Sequence, residues 1–226
     1  MFYRMVKASV EILVRRTKNP SFKFDNDLTM RMMLTLIGDQ LMYRLRALKL
    51  ILRGRLTRNL QLGMGVRLKN LHNIKLGAGV KLSDYVLLDG LGVGRLSLGD
   101  GCSIGSYSRL IVSTSYSNLG HGINFGANVA IGEFSYIGGA GGVSIGKDTI
   151  VGQYLSIHPE NHVTESKQTA IRFQGVTRRG VEVGNNVWIG SKVTILDGVS
   201  VGNGCVVCAG AVLTAGEYPA GSVIGG

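Results

Sequence analysis

An aliphatic or aromatic residue followed directly by glycine recurs along this chain, most often at a spacing of six residues. The pairs begin at Leu98, Ile104, Phe125, Ile131, Ile137, Ile145, Val151, Val183, Ile189 and Val201. Where the glycine is lost, the aliphatic position persists, as at Ile195 and Val207. A repeat of this kind is interpreted before any local motif, because it determines the architecture of the whole region.

Six residues, at roughly 3.3 Å each, make one short strand and a turn, and three such units close a triangular coil of roughly eighteen residues. The aliphatic side chain then points inward at every sixth position. The residue after it turns the corner, which favours glycine for its positive φ or its lack of a side chain. Stacked coils pair backbone to backbone and bury a continuous core. The repeat therefore predicts a parallel β-helix with a triangular cross-section.

The first 57 residues have a different period, which predicts helices. From Met30 onward, apolar residues follow one another in steps of three and four, as on one face of an α-helix. Residues 1–16 predict a shorter amphipathic helix, and the stretch TKNPSFKFDND predicts a break between the two. Charges interrupt the apolar run well before the roughly 18 residues of a membrane span. We therefore divide the chain into a helical segment, 1–57, and a repeat domain, 58–226.

The positive charge of the chain is concentrated in the helical segment. The formal net charge is +11, and residues 1–60 hold 13 Lys and Arg against 4 Asp and Glu, whereas the remainder holds 12 against 10. A basic amphipathic helix can lie in the interface of an anionic membrane. Its apolar face can equally pack on the repeat domain or on a neighbouring subunit. The distribution argues against a nucleic-acid groove in the repeat domain.

The three cysteines, Cys102, Cys205 and Cys208, do not have the even number and paired spacing of a disulfide framework. Cys205 and Cys208 form a CxxC pair, which we interpret as two small residues of the repeat because a zinc site needs further soft ligands nearby. We therefore expect a cytoplasmic protein, either free or in peripheral contact with the inner face of the cytoplasmic membrane.

The stretch SIHPENHV, residues 156–163, interrupts the repeat. Ile157 still lies six residues after Val151, so the coil continues to that point. The aliphatic–glycine pairs then lapse until Val183, which predicts a protruding loop over residues 158–180. Because functional residues are often held on loops by a rigid scaffold, this loop is the first place to look for a site.

Two of the four histidines, His158 and His162, lie at the start of this loop. An imidazole is largely neutral at pH 7 and can accept a proton from a hydroxyl group during its attack on a carbonyl. Together with His121, the same side chains also make up the donor set of an open catalytic zinc site. The residues alone leave both readings open.

The repeat resembles that of the hexapeptide-repeat acyltransferases, whose coils wind into a left-handed β-helix. The likeness covers residues 60–226 and is most specific over 181–226, where NVWIG, ILDGV and AGAVLT follow one another as in galactoside, maltose and capsular-polysaccharide O-acetyltransferases. It implies a mainly β protein, a left-handed parallel β-helix, that transfers an acetyl group from acetyl-CoA to a sugar or glycan hydroxyl. It also implies a homotrimer with active sites between neighbours.

The resemblance implies roles for single residues. The general base of the resembling enzymes is a histidine at this place in the loop, which by register is His162, with His158 as the second candidate and Asn161 beside the base. Transfer is then direct, without an acyl-enzyme, and no metal is expected. Acceptor contacts are expected from Ser135 and Tyr136. The expected CoA contacts are Trp188, Ser191, Lys192, Ala209, Gly210 and Thr214, with Arg178 and Arg179 near the phosphates.

Two other classes of function stay open. N-acetylation of an amino sugar, an amino acid or a xenobiotic would use the same scaffold and the same base. The third class is a protein that is not an acyltransferase, either a zinc-dependent hydratase resembling carbonic anhydrase or a scaffold without activity. The expected partners are acetyl-CoA, a sugar or glycan acceptor and further copies of the chain, with an anionic membrane as an option for residues 1–57.

Overall fold

A computed structural model describes residues 2–17, 21–51 and 57–225. Two α-helices precede the repeats, α1 at Phe2–Thr17 and α2 at Met30–Ile51. They agree with the two helices and the break that the apolar spacing predicts. Within the described ranges, neither helix has the combination of length and apolarity that crossing a membrane requires.

The chain divides into two compact units, residues 1–42 and 43–226, so residues 43–51 of α2 belong to the same unit as the repeats. The boundary predicted at residue 57 borders residues 52–56, which lie outside the described residues, and it stays a prediction.

In the first unit, α1 is bonded to the segment that follows it. The Phe24 N–H donates to the Glu11 carboxylate at 2.9 Å, and the Arg15 Nε–H donates to the Phe22 carbonyl at 2.6 Å. Thr29 caps the N-terminus of α2, because its hydroxyl accepts the Met32 N–H at 3.3 Å.

In the second unit, the end of α2 covers the first coil. Ala47 and Leu50 are buried and belong to the same hydrophobic core as Leu62. The Tyr43 hydroxyl donates to the Asp84 carboxylate at 3.1 Å. The helix thereby covers apolar surface that the first coil, with no coil beneath it, would otherwise leave in water.

From residue 61 the chain winds into coils, and each complete coil gives one strand to each of three parallel sheets. The first sheet consists of Gln61–Leu62, Lys81–Leu82, Ser103–Ile104, Ala130–Ile131, Ile150–Val151, Trp188–Ile189, Val206–Val207 and Val223–Ile224. The second consists of Arg67–Lys69, Leu87–Asp89, Arg109–Ile111, Tyr136–Gly138, Ser156–His158, Thr194–Leu196 and Val212–Leu213. The third consists of Ile74–Leu76, Leu96–Leu98, Ile123–Phe125, Val143–Ile145, Val181–Val183, Val199–Val201 and Gly216–Tyr218.

The register of the sheets stacks the repeat's aliphatic residues on one another. In the first sheet, Ile131 pairs with Ile104 on one side and with Val151 on the other. In the second, Ile137 lies between Leu110 and Ile157. All of these side chains are buried. The triangular parallel β-helix predicted from the repeat is confirmed.

The glycines that follow the inward aliphatic residues are required by close packing and not by positive φ. At Gly132, a Cβ atom would lie 2.5 Å from the backbone of Gly152 in the next coil. Of the two reasons that the sequence offered for glycine at this position, the lack of a side chain is the one that applies.

Positive φ occurs two residues further along, at the corner between the first and second sheets, and aromatic residues occupy it. Tyr85, Tyr107, Phe134 and Tyr154 have φ values of 58°, 61°, 55° and 62°. Their rings stack in sequence, with centroids 5.1, 5.1 and 5.3 Å apart. Lys192 takes the same conformation in the next coil, with φ of 60°. This column of four rings, the aromatic ladder, runs along one edge of the prism.

Candidate active site

The longest connections of the β-helix leave from one corner, between the second and third sheets. One lies between Arg109–Ile111 and Ile123–Phe125, and the other lies between Ser156–His158 and Val181–Val183. Stacked coils place equivalent corners one above another, so both connections project from the same edge of the prism. The predicted protruding loop is present at this edge.

The loop over residues 159–180 is internally bonded. Asn161–His162 pairs antiparallel with Val176–Thr177, with His162 opposite Val176. A short 3-10 helix follows at Ile171–Phe173. The Gln174 side chain donates to the Ser166 carbonyl at 2.8 Å and accepts the Ser166 N–H at 2.9 Å. These bonds give His162 a defined position although its side chain is exposed.

An arginine connects the two projecting segments. Arg178 forms an ion pair with Glu160, with Nε and Oε2 2.9 Å apart. Its guanidinium also donates to the Asn118 side chain at 2.7 Å and to the Leu119 carbonyl at 3.1 Å. This differs from the phosphate contact that the resemblance implies for Arg178, because the guanidinium donors are engaged at the root of the loop.

A cavity of about 210 Å³ opens between these segments. Both histidines line it, together with Tyr136, Thr114 and Glu160. Backbone of residues 138–140 forms part of its wall. The structure thus brings the two candidate bases and one acceptor candidate to a single site.

The two imidazoles differ in how they are held. His158 shares a hydrogen bond of 2.7 Å between its Nε2 atom and the Ser156 hydroxyl. Its ring also stacks on Tyr136, with centroids 5.6 Å apart and planes inclined by 28°. Within the described part of the chain, no hydrogen bond is made by the His162 ring. A side chain that must accept a proton from a ligand needs such a free nitrogen.

The two acceptor candidates have different positions. Tyr136 lines the cavity. Ser135 is buried, its hydroxyl donates to the Gly132 carbonyl at 3.0 Å, and it accepts the Leu155 N–H at 3.3 Å. Ser135 therefore has no surface to offer a ligand, because the residue before an outward-facing strand position faces the core.

Most of the expected CoA contacts lie elsewhere in the chain. Ser191 and Lys192 are in the corner between the first and second sheets, where the Ser191 hydroxyl donates to the Gln153 side chain at 2.9 Å. Ala209 and Gly210 lie in the next coil, and the Gly210 N–H donates to the Ser191 carbonyl at 2.9 Å. Trp188 is an exposed residue of the adjoining first-sheet strand.

Within one chain, the expected site residues thus form two groups, at opposite ends of the second-sheet strands. A strand of three residues is about 10 Å long, which separates the two groups. The histidines, Arg178 and Thr214 belong to the corner between the second and third sheets. The Thr214 carbonyl accepts the Tyr218 hydroxyl at 3.1 Å. Arg179 does not line the histidine cavity and faces a second cavity on the third sheet.

The candidate metal ligands of the chain, its histidines and cysteines, do not all come together in one place. No group of three or more His, Cys, Asp and Glu that is suited to a metal ion occurs in residues 2–17, 21–51 and 57–225. His121 lines the cavity on the third sheet, apart from His158 and His162. Cys205 is buried and Cys208 is exposed.

Sequence reasoning missed three parts of the site. Ser156 lies two residues before His158, a spacing that places both side chains on one face of a strand and was readable. The segment with Thr114 interrupts the repeat between Ile104 and Phe125, which was also a visible signal. Asp197, inside the quoted ILDGV motif, is 1% exposed and accepts the N–H groups of Arg179 and Gly180, both at 2.8 Å.

Comparisons with known proteins support the repeat assignment. Residues 180–215 match the family described as "Bacterial transferase hexapeptide (six repeats)". The fold and this match confirm the resemblance to hexapeptide-repeat proteins identified in the repeats. A comparison with curated protein sequences finds no significant match.

Several solved structures are similar to part of this chain. A hexapeptide-repeat acetyltransferase from Vibrio cholerae, complexed with acetyl-CoA, is 18% identical over 57% of this chain and 65% of its own, with a TM-score of 0.48. The N-acyltransferase AntD from Bacillus cereus is 16% identical over 72% and 73%, with a TM-score of 0.46. A maltose O-acetyltransferase from Clostridium difficile is 20% identical over 70% and 60%, with a TM-score of 0.30.

Proposed function

We propose that this protein is an acetyl-CoA-dependent O-acetyltransferase that acts on a hydroxyl of a sugar or glycan. The observation that carries the proposal is the His162 imidazole, which lines a cavity with His158 and Tyr136 and has no hydrogen bond of its own among the described residues. The match of residues 180–215 to a bacterial transferase family supports the class of reaction.

In this proposal, His162 acts as the general base. One ring nitrogen accepts the proton of the acceptor hydroxyl while the hydroxyl oxygen attacks the thioester carbonyl of acetyl-CoA. The carbon–sulfur bond then breaks, the acetyl group remains on the acceptor oxygen, and the CoA sulfur takes up the proton from the imidazolium. No acyl-enzyme forms. Asn161 is the residue beside the base in the same two-residue strand.

His158 supports the acceptor side of the cavity. Because Ser156 and Tyr136 fix its ring, it is suited to orient a hydroxyl group by hydrogen bonding more than to change protonation during turnover. Tyr136 offers the acceptor both an aromatic face and a hydroxyl group.

The CoA contacts that we propose are Trp188, Ser191, Lys192, Ala209, Gly210 and Thr214. The pantetheine arm of CoA would lie along the stacked corner that holds most of these residues, and the Lys192 ammonium would meet phosphate. Because this corner and the histidine corner are separate in one chain, we propose that a neighbouring copy completes each site in a homotrimer.

N-acetylation of an amino sugar or a xenobiotic is the alternative. The same imidazole can take a proton from an ammonium group before the neutral amine attacks, or from the amine nitrogen as it attacks. The cavity around His162 also contains Glu160, whose carboxylate would suit a cationic amine. The ion pair of Glu160 with Arg178 favours the hydroxyl acceptor, because the charge of this carboxylate is already compensated.

We further propose a cytoplasmic location with peripheral contact to an anionic membrane through the helical segment. Leu45 and Leu48 of α2 are exposed, and Arg46 and Lys49 alternate with them along the helix. A basic helix with exposed leucines binds anionic lipid through both charge and apolar burial.

The test measures thiol release from acetyl-CoA over a panel of hydroxyl and amine acceptors. His162→Ala should lower turnover by about 10²- to 10⁴-fold and leave acetyl-CoA binding intact. His72→Ala, an exposed histidine of the first coil, is the matched control and should keep full activity. Undiminished turnover in His162→Ala would refute the proposed base, and activity confined to amine acceptors would select the alternative.

A further inference from the structure

Four successive coils carry glycine with positive φ directly before their third-sheet strand, at Gly122, Gly142, Gly180 and Gly198. The first three have φ values of +124°, +93° and +87°, a region that side chains disfavour. They stack in register, since the Val143 N–H donates to the Gly122 carbonyl and the Val181 N–H donates to the Gly142 carbonyl, both at 3.0 Å. This glycine column leaves a strip of bare backbone along the axis of the prism.

The strip is the edge of a groove of about 410 Å³ on the outer face of the third sheet. Its floor is a row of polar side chains, Ser97, Asn124, Ser144 and Glu182, which lie opposite one another in successive strands. Neighbouring strands are about 4.8 Å apart, so the row presents a regular series of hydroxyl, amide and carboxylate groups. Within the described residues, these four side chains form no hydrogen bond with the protein.

Positive charge flanks the groove. Arg95 lines it in the coil below the glycine column, Arg179 lines it beside Gly180, and His121 lies between them in sequence and lines it as well. Neither Arg95 nor Arg179 is in an ion pair among the described residues, in contrast to Arg178. Glu182 is the single acidic residue among those that line the groove. The repeat domain is otherwise nearly neutral, so this excess is local.

We propose that this groove, which we call the third-sheet groove, binds an acidic oligosaccharide chain. Hydroxyl and amide side chains in a regular row suit a ligand with many hydroxyl groups. A guanidinium group pairs with carboxylate through two parallel hydrogen bonds, which suits uronic or similarly acidic sugars. The bare glycine backbone lets a bulky chain approach closely. The same arginines could also pair with a phosphate group. CoA, which carries phosphates, therefore serves as a probe of that alternative.

The groove adjoins the histidine cavity across one corner of the same coil. Gly139 and Ala140 line the cavity, and the next two residues, Gly141 and Gly142, line the groove. A chain bound in the groove therefore leads over this small-residue corner to His162. That the bound chain is the acceptor rests on the proposed function, whereas its binding does not.

The experiment measures binding by calorimetry in the absence of acetyl-CoA, with tetragalacturonic acid as the acidic probe and maltotetraose as the neutral one. We expect the acidic probe to bind the whole protein, less tightly at high salt, and the neutral probe to bind much more weakly. The paired substitution Arg95→Gln and Arg179→Gln should weaken the acidic probe at least about tenfold.

Two further variants separate charge from shape. Arg67→Gln removes an exposed arginine from the second sheet and should bind as the unmodified protein does. Ser144→Trp keeps every charge and fills the floor of the groove, and it should abolish binding. Equal affinity for both probes, or unchanged affinity in Ser144→Trp, would overturn the proposal. So would the loss of CoA binding in the paired arginine variant, since the groove would then hold nucleotide phosphate.

The same titration with His162→Ala distinguishes the two proposals. Retained probe binding without turnover supports both the groove and the base. If His162→Ala keeps both full turnover and probe binding, the proposed general base is refuted and the groove is not. If turnover depends on His162 but the unmodified protein does not bind the acidic probe, the proposed groove is refuted and the base is not.

Discussion

Arg178 and Glu160 form an ion pair 2.9 Å long across the two ends of the loop that carries His162. The Arg178 side chain is only 11% exposed, and it also bonds the connection that contains Asn118 and Leu119. The pair therefore closes the loop at its root and holds it against the neighbouring coil.

Replacing Arg178 by Ala should misplace His162 without unfolding the β-helix. We expect kcat to fall roughly 10- to 100-fold, because small displacements of a catalytic group are costly, while the thermal unfolding midpoint changes little. Steady-state kinetics and calorimetry provide the measurements. Arg172→Ala, which removes an arginine of the same loop that lies over Phe173, is the control. Equal kcat in both variants would show that the root contact is dispensable.

The aromatic ladder should stabilise the stack of coils. Phe134 has a stacked ring on each side, so Phe134→Ala should lower the free energy of unfolding by about 1–3 kcal/mol, and Phe134→Tyr should preserve it. Chemical denaturation followed by circular dichroism measures the difference. An alanine variant as stable as the tyrosine variant would mean that the stacked ring does not stabilise the coils.

The three cysteines should differ in reactivity towards an alkylating reagent. Burial raises the pKa of Cys102 above its ordinary value of 9.0, and Cys205 is buried with its thiol donating to the Pro219 carbonyl at 3.1 Å. Cys208 is exposed. Mass spectrometry at pH 8 should find rapid labelling of Cys208, with Cys102 labelled only after unfolding. Rapid labelling of Cys102 in the native protein would contradict this.

The raised pKa of Cys102 also has a consequence for stability. The folded state keeps the Cys102 thiol proton at a pH where the unfolded chain loses it. The contribution of this thiol to the free energy of unfolding is therefore complete below about pH 9, and it declines as the pH rises from there through the folded-state pKa. When the free energy of unfolding is plotted against pH, the values for the protein and for Cys102→Ala should therefore converge above pH 9. Parallel curves across that range would exclude the effect.

The exposed leucines of α2 should contribute to membrane contact. The protein should float with vesicles of phosphatidylglycerol and not with vesicles of phosphatidylcholine. Leu45→Ser together with Leu48→Ser should reduce flotation through lost apolar burial, and Arg46→Gln with Lys49→Gln should reduce it about tenfold or more through lost charge. If the intact protein stays unbound on both kinds of vesicle, the proposed contact is refuted.

Mixing two inactive variants tests whether each site is shared between copies. His162→Ala removes the base and Ser191→Trp blocks the corner proposed for CoA. In randomly mixed trimers, about a quarter of the sites would combine an intact base from one copy with an intact corner from its neighbour. Turnover should therefore return to about a quarter of the normal value. No recovery after subunit exchange, verified by native mass spectrometry, would place the whole site in one chain.

The loop shows the limit of prediction from the sequence. The break at His158 and the two imidazoles were visible as an interruption of the repeat. The ion pair of Arg178 was not, because its partners lie 18 and 60 residues away and no local pattern joins them. Ser135 illustrates the same limit, since its direction towards the core follows from the coil geometry and not from its polar side chain.

The sequence by itself determined the β-helix. At every sixth position an aliphatic side chain points into the core, and each coil needs the same inward residue followed by a tight corner. The tertiary structure alone decided which side chains share a site. The glycine column, the third-sheet groove and the histidine cavity arise where residues from different coils meet at one edge. The lengths of the connections between the coils follow no period, so these meetings cannot be predicted from the sequence.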